Sequence, residues 1–340
     1  MMEPSTTSVA QAVVPKLPPL DYRIPGWAPD DLEPRSCPFC RAHNGHVLRR
    51  PDDLPVAYCA SCAVWYVASI PRPERLKRFY QGYWDAFRPA QLDARTARVM
   101  MRAARGNAGT APRSNRLVAI LGTLRGKRVL DLGCGLGGFL LSMQVAGAEP
   151  LGVEISRAAR GFARRYFAFP VYEDLPQCLA QTGPVDAIVL NDVVEHLDAP
   201  ADLLGTAVQA LRPGGALAIW TPNGGAAGTD LASAREWVGF RVDLEHLQYL
   251  SPRAILLVAG KLGLSVEHLE TTGFPNLVRI DQEPRVPSWL RTCLQEARTV
   301  VSSSSVGSLV RTLREIGGHR TDAQERTTGT YHLFAVLKKG

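Results

Sequence analysis

The stretch "RVLDLGCGLGGFLL", Arg128 to Leu141, constrains the fold more than any other part of the chain. An apolar strand runs directly into Gly133, Gly135 and Gly138, spaced G-x-G-x-x-G, and an apolar helical run follows. A strand, a glycine turn and a helix in that order predict a parallel sheet covered by helices. The alternation continues downstream. "EPLGVEIS", "PVYEDL", "VDAIVLND" and "ALAIWTPN" read as strands, and "SRAARGFARRYF" and "ADLLGTAVQALRPGG" as helices, the second closed by its glycines. "SPRAILLVAGKLG" carries a serine cap and a proline in its first turn, as a helix start should. "LSVEHLET" and "TYHLFAVLKK" supply two last strands. About 55 residues, 273–329, separate them, too many for a hairpin loop, so a helical insertion serving as a cap or an interface is expected.

Upstream of the alternation the chain changes character. Residues 1–34 are rich in Pro, Ser, Thr and Ala without a hydrophobic period and predict a flexible arm. Residues 71–124 turn helical, with "PERLKRFYQGYW" and "DARTARVMMRAARG" as a linker or lid before the α/β domain over 125–340. With 46% apolar residues, the 340-residue chain can fill a substantial core. No run reaches the roughly 20 apolar residues of a membrane span, and the start lacks the layout of a secretory signal. No membrane insertion and a cytoplasmic location are expected. The net charge of +7 is local: residues 35–116 hold 15 Lys and Arg against 5 Asp and Glu. That excess suits an acidic substrate, a nucleic acid, or solubility alone.

Four of the seven cysteines form two pairs, "CPFC" at 37–40 and "CASC" at 59–62, with 18 residues between the inner two. Two such corners, Cys37 with Cys40 and Cys59 with Cys62, can fold back into a tetrahedron of thiolates, which Zn2+ accepts without geometric penalty. A closed four-thiolate site leaves no coordination position for chemistry, so the metal is expected to be structural. "AYCASCAVWYVA" reads as a hairpin wrapped around it, giving a zinc-ribbon-like module over 35–70. His43 and His46 lie between the pairs and read as solvated loop residues.

The glycine spacing alone suits a dinucleotide as well as other cofactors. Asp131, two residues before Gly133, separates the cases, because that strand position is ordinarily apolar where the turn faces a pyrophosphate. "VLDLGCGLGGFL" resembles the first motif of the class I S-adenosylmethionine-dependent methyltransferases. "VDAIVLNDVVEHLDAP", "LRPGGALAIWTPN" and "DLEHLQYLSPRAILLVAGKLGLSVEHL" resemble later segments of that family, the last of them the small-molecule branch of the ubiquinone-biosynthesis type. The likeness covers roughly 128–270. It implies a seven-stranded sheet of order 3-2-1-4-5-7-6 with the last strand antiparallel. It also implies that Gly133, Gly135 and Gly137 line the cofactor turn, that Asp131 serves the methionine end, and that Glu154 accepts from the ribose hydroxyls. Asp174, or Glu173 beside it, is the candidate partner of the adenine amino group, and Asn191 and Asp192 are expected to face the cleft.

Methyl transfer from a sulfonium needs alignment, dry walls and sometimes a base. His196 and His246 are the candidate bases, and Tyr83, Asn223 and Tyr249 are candidate walls of the acceptor pocket. The expected acceptor is a small-molecule, sugar-like or carrier-linked compound, methylated at oxygen before nitrogen or carbon. The alternatives are an RNA methyltransferase using the basic, cysteine-bearing N-terminal region, and a non-catalytic module that only binds the cofactor. A homodimer is a further partner reading for the 273–329 insertion.

Overall fold

The computed structural model describes residues 26–106, 111–272 and 331–340. Of the arm expected over residues 1–34, residues 1–25 lie outside them, as do the insertion at 273–329 and Cys293, while residues 32–34 form a strand paired with residues 69–71 rather than a loose arm. The cysteine-bearing segment begins with β1 (Leu32–Pro34), β2 (His46–Arg49), β3 (Pro55–Cys59), β4 (Val64–Val67) and β5 (Ser69–Pro71). Three helices follow, α1 (Pro73–Phe87), α2 (Ala94–Arg105) and α3 (Ala111–Leu121). The alternating half holds β6 (Arg128–Leu132), α4 (Gly138–Val145), β7 (Glu149–Val153), α5 (Arg157–Phe167), β8 (Val171–Tyr172), α6 (Leu175–Thr182), β9 (Val185–Asn191) and α7 (Pro200–Ala210). It ends with β10 (Leu211–Pro222), α8 (Leu231–Glu236), β11 (Gln248–Leu250), α9 (Pro252–Lys261), β12 (Leu264–Thr272) and β13 (His332–Lys339).

The main sheet runs β12-β13-β10-β9-β6-β7-β8. Strands β6 to β10 pair in parallel, and β13 lies antiparallel to both β10 and β12. Counted along the alternating half this is 3-2-1-4-5-7-6 with the final strand reversed, the order that the resemblance implies. The central strands are buried on both faces. Val129, Leu130, Ile188, Leu190, Leu217 and Ile219 have essentially no solvent contact, which is why they read as continuous apolar runs.

One element departs from expectation. The helix expected to run through "RPGG" ends at Ala210, and β10 begins at Leu211, paired with Val185. The register then breaks between Leu211 and Ala216. Gly214 has φ +73°, and a Cβ on Gly215 would stand 2.8 Å from the Arg212 carbonyl oxygen. The two glycines therefore serve an irregularity within a strand rather than a helix cap.

The cysteine-bearing segment shares structure with the alternating half. Strand β11 pairs antiparallel with β4, giving a second sheet of order β11-β4-β3-β2. Its residues Ala57, Val64, Tyr66 and Ala68 pack in the same apolar core as Ile188, Leu250 and Ile255. Two arginines fasten the junction. Arg50, with no solvent contact, pairs with Asp52 at 2.5 Å and donates to the carbonyls of Leu244 at 2.6 Å and His246 at 2.5 Å and to the Tyr249 hydroxyl at 3.0 Å. Arg35 donates to the Leu247 carbonyl at 2.6 Å and to Gln248 Oε1 at 2.9 Å. Gln248 in turn donates to the carbonyls of Leu197, at 2.9 Å, and Val194. Among the described residues, no helix is long and apolar enough to cross a membrane.

A buried guanidinium that loses its carboxylate is left uncompensated. We predict that Asp52→Ala lowers unfolding free energy by about 3–5 kcal/mol, read from the urea midpoint. A change below about 1 kcal/mol would show the pair to be worth no more than an exposed one.

Candidate active site

Strand β6 delivers its carboxyl end into the glycine turn. Gly133, Gly135 and Gly137 have φ of +72°, +53° and +86°, a region where a Cβ is strained. Space is short as well: a Cβ on Gly133 would stand 2.7 Å from Val193, and one on Gly137 2.6 Å from Phe169. Glu154 follows β7. Its carboxylate accepts from the backbone N–H of Gly135 and of Ser156, each at 2.8 Å, so the turn itself aims this side chain. Burial pushes its pKa up, against the pull of those two N–H groups and of Arg160.

Asp131 is 2% exposed, and its contact with the Asn191 amide is 3.5 Å long. Burial holds its pKa well above the usual carboxylate range, and Glu154 and Asp192 add to the rise while Asn191 and Arg113 oppose it. A buried carboxylate so weakly compensated is a place for a cation. Asp192, after β9, adopts φ +53°, and Arg113 grips its carboxylate at 2.7 and 3.3 Å while lying over the Trp220 ring at 4.6 Å.

A cavity of about 730 Å3 opens beyond these strand ends. It brings together Gly133, Gly135, Glu154, Asp174, Asp192, His196 and His246. Asp131, Gly137 and Asn191 do not line it. Asp174 lines the cavity while capping α6 through the Gln177 N–H at 2.8 Å, and neighbouring Glu173 is taken by Arg160 at 2.8 Å. Tyr83 also lines the cavity, whereas Asn223 and Tyr249 are buried outside its lining.

At the far side the cavity wall is formed by Glu195, His196 and His246. The two imidazole rings meet edge to face, with centroids 4.7 Å apart. Tyr80 places its hydroxyl 2.9 Å from His196 Nδ1. Burial lowers the pKa of His196 to about 4, against the upward pull of Asp192 and of the Glu245 carbonyl. Burial also takes His246 well below its ordinary value, with His196 and Arg50 adding to the effect. Both rings are therefore neutral at pH 7. Glu195 is fully buried, accepts from the Thr221 hydroxyl at 2.9 Å, and is held well above the ordinary carboxylate range by burial.

Sequence reasoning missed Tyr80, Trp84, Arg88, Arg113 and the part played by Glu195. Tyr80, Tyr83 and Trp84 stand three and four residues apart on α1, and that spacing was the available signal for one helix face. Trp84 reaches the turn itself, 3.1 Å from where a Gly135 Cβ would be. Arg113 had no local signal, since only the tertiary fold carries it to Asp192.

The four paired cysteines converge. Their sulfur atoms all lie within 4.8 Å of one another, with Cys40 and Cys59 3.5 Å apart, and Cys37, Cys59 and Cys62 are buried. Cys59 ends β3 and Cys62 precedes β4, the hairpin that the sequence predicts.

Residues 102–269 match a family model described as a methyltransferase domain. Two curated relatives are ubiquinone biosynthesis O-methyltransferases. The one from Aromatoleum aromaticum is 36% identical over 107 residues, 29% of this chain and 46% of the relative. The one from Bordetella pertussis is 35% identical over 104 residues, 28% of this chain and 42% of the relative. The chain thus spans less than half the length of these relatives. A solved SAM dependent methyltransferase from Archaeoglobus fulgidus aligns at 20% identity and a TM-score of 0.44, covering 68% of this chain and 96% of that one. Its glycine turn, its two strand-end acids and its 3-2-1-4-5-7-6 sheet are those of the class I S-adenosylmethionine-dependent methyltransferase fold, and over residues 102–269 the chain is similar to the methyltransferase-domain family.

Proposed function

We propose that this chain transfers a methyl group from S-adenosylmethionine to the oxygen of a small-molecule or carrier-linked acceptor. The observation that carries the reading is a single cavity with two chemically distinct walls. One wall is the glycine turn with Glu154, backed by Asp131; the other is Glu195, His196 and His246. The names of the curated relatives support a small-molecule acceptor of this kind.

The residues suit the donor. Bound S-adenosylmethionine would supply a methyl group on a positively charged sulfur, which leaves as a neutral thioether and needs no acid. Asp131, buried and poorly compensated, would hold the ammonium end through Gly133 and its surroundings. Glu154 is fixed by the two backbone N–H groups, and each of its oxygens keeps a lone pair for a ribose hydroxyl. Asp174 stands where the adenine edge would be met. The closely packed aromatic face of α1, Tyr80, Tyr83 and Trp84, excludes water above the turn. Neutral imidazoles at the other wall present lone pairs toward an acceptor hydroxyl.

The RNA reading is weakened at five of the fifteen basic residues of the 35–116 segment. Arg35 and Arg50 are spent on carbonyls inside the fold, Arg75 on Asp31, Arg113 on Asp192 and Arg116 on Glu270. Arg35 and the fully buried Arg50 are withdrawn from any phosphate backbone.

The four thiolates would hold Zn2+ as a closed structural site, formed by Cys37, Cys40, Cys59 and Cys62. Burial raises the thiols of Cys37 and Cys62, so crowded neutral thiols are the alternative to a bound dication. Cobalt-substituted protein should show intense thiolate-to-metal charge-transfer absorption that Cys59→Ser abolishes. Equal absorption in both proteins would remove the assignment.

Calorimetric titration with S-adenosylhomocysteine tests the donor site. Wild type should bind with a measurable heat, and Asp131→Ala and Glu154→Ala should each weaken binding at least about tenfold, or ~1.4 kcal/mol. Absence of binding by the wild type, or variants that match it, would defeat the reading.

A further inference from the structure

We infer that the outer face of α2, with the groove beside it, is a docking surface for an acidic protein partner that presents an amphipathic helix. Helix α2 holds Arg95, Arg98, Arg102 and Arg105 and no acidic residue. At 3.6 residues per turn these four positions fall within about 80° of arc and run along about 15 Å of the helix. All four are exposed, and among the described residues no carboxylate pairs with any of them. Arg75, Arg113 and Arg116, by contrast, each hold an acid. Like charges three and four residues apart on a helix repel, and a matching row of carboxylates relieves that repulsion. The inner face of α2 fixes the row in place, because Ala97 and Ala104 are buried in one cluster with Leu136 and Leu140.

Beside the row the surface is apolar. A groove of about 150 Å3 lies between α2, α4 and α5, lined by Met101, Leu141, Val145, Tyr166 and Phe167. Arg105 belongs to both the row and the groove. A space of that size lodges a group as large as benzene, so it takes one apolar side chain of a partner. Val99 on α2 and Val145 on α4 are 58% and 55% exposed, and Arg165 lies over the Tyr166 ring at 5.4 Å. An apolar groove with one sign of charge along its rim suits an amphipathic helix. The apolar anchors of that helix enter the groove, and its carboxylates meet the arginines.

The apolar part selects among anionic partners. A phosphate backbone would engage the arginines and leave Val99, Val145 and the groove uncovered. A lipid surface takes up protruding side chains, whereas Leu141 and Phe167 are recessed at 7% and 6% exposure. The inference does not rest on the methyl-transfer reading, since neither the row nor the groove lines the larger cavity.

The test is fluorescence anisotropy of the full chain with a labelled helical peptide of about 18 residues, its glutamates at i, i+3, i+7 and i+10 and leucines beside them. Binding should saturate and weaken as salt rises. Arg98→Glu combined with Arg102→Glu should weaken it at least about tenfold, as should replacing the leucines of the peptide by serine. Val145→Asp should weaken it several-fold through the groove. All three substituted positions are exposed, so the fold is kept. Equal binding of the leucine and serine peptides, or variants that match wild type, would overturn the inference. Tighter binding of a short double-stranded RNA, or of phosphatidylglycerol vesicles, than of the peptide at equal ionic strength would overturn it as well.

Discussion

The buried Arg50–Asp52 pair is the contact on which the Glu195, His196 and His246 wall of the cavity depends. A guanidinium with no solvent contact must satisfy its donors within the protein, and here they go to Asp52, Leu244, His246 and Tyr249. Four groups are thereby placed by one planar fork. The 244–249 segment has little regular structure before β11, so without this grip its course would be set by few backbone bonds. Arg35 and Gln248 extend the fastening to residues 194–198, which carry Glu195 and His196. The cysteine-bearing segment thus holds both loops of this wall, and a metal on its four sulfurs would stiffen that support.

The glycine-turn side is held by other means. There the backbone does the positioning: left-handed glycines turn the chain, and two N–H groups orient the Glu154 carboxylate. On this wall the preceding helices add the roof that Trp84 provides and the packing of Ala97 and Ala104 against Leu136 and Leu140. A wall set by local backbone geometry therefore meets a wall set by long-range side-chain contacts. The two walls differ in chemistry because they differ in origin.

That difference also decides what could be read beforehand. Strand β6, its turn and the order of the sheet were legible because glycine spacing and apolar runs are local signals. Glu154 and Asp131 were legible for the same reason, each lying at a strand end that the pattern already marked. Residues "RPGG" misled, since a glycine pair closes a helix or breaks a strand ladder equally well, and only the pairing of Leu211 with Val185 decides. Tyr80 and Arg113 were hidden because their partners, His196 and Asp192, lie far along the chain. His196 and His246 were singled out individually, yet their meeting with Glu195 is a product of tertiary structure.

The strand shared between β4 and β11 has a consequence for how the molecule comes to be made. Arg50 and His246 stand 196 positions apart, so loop closure must precede any reward from their contact. During synthesis the early hairpin emerges with the β4 edge unsatisfied and waits for most of the remaining chain before β11 arrives. An open, apolar edge of that kind invites pairing with other molecules. Yield at biosynthesis would then be governed less by final stability than by how long that edge stays bare.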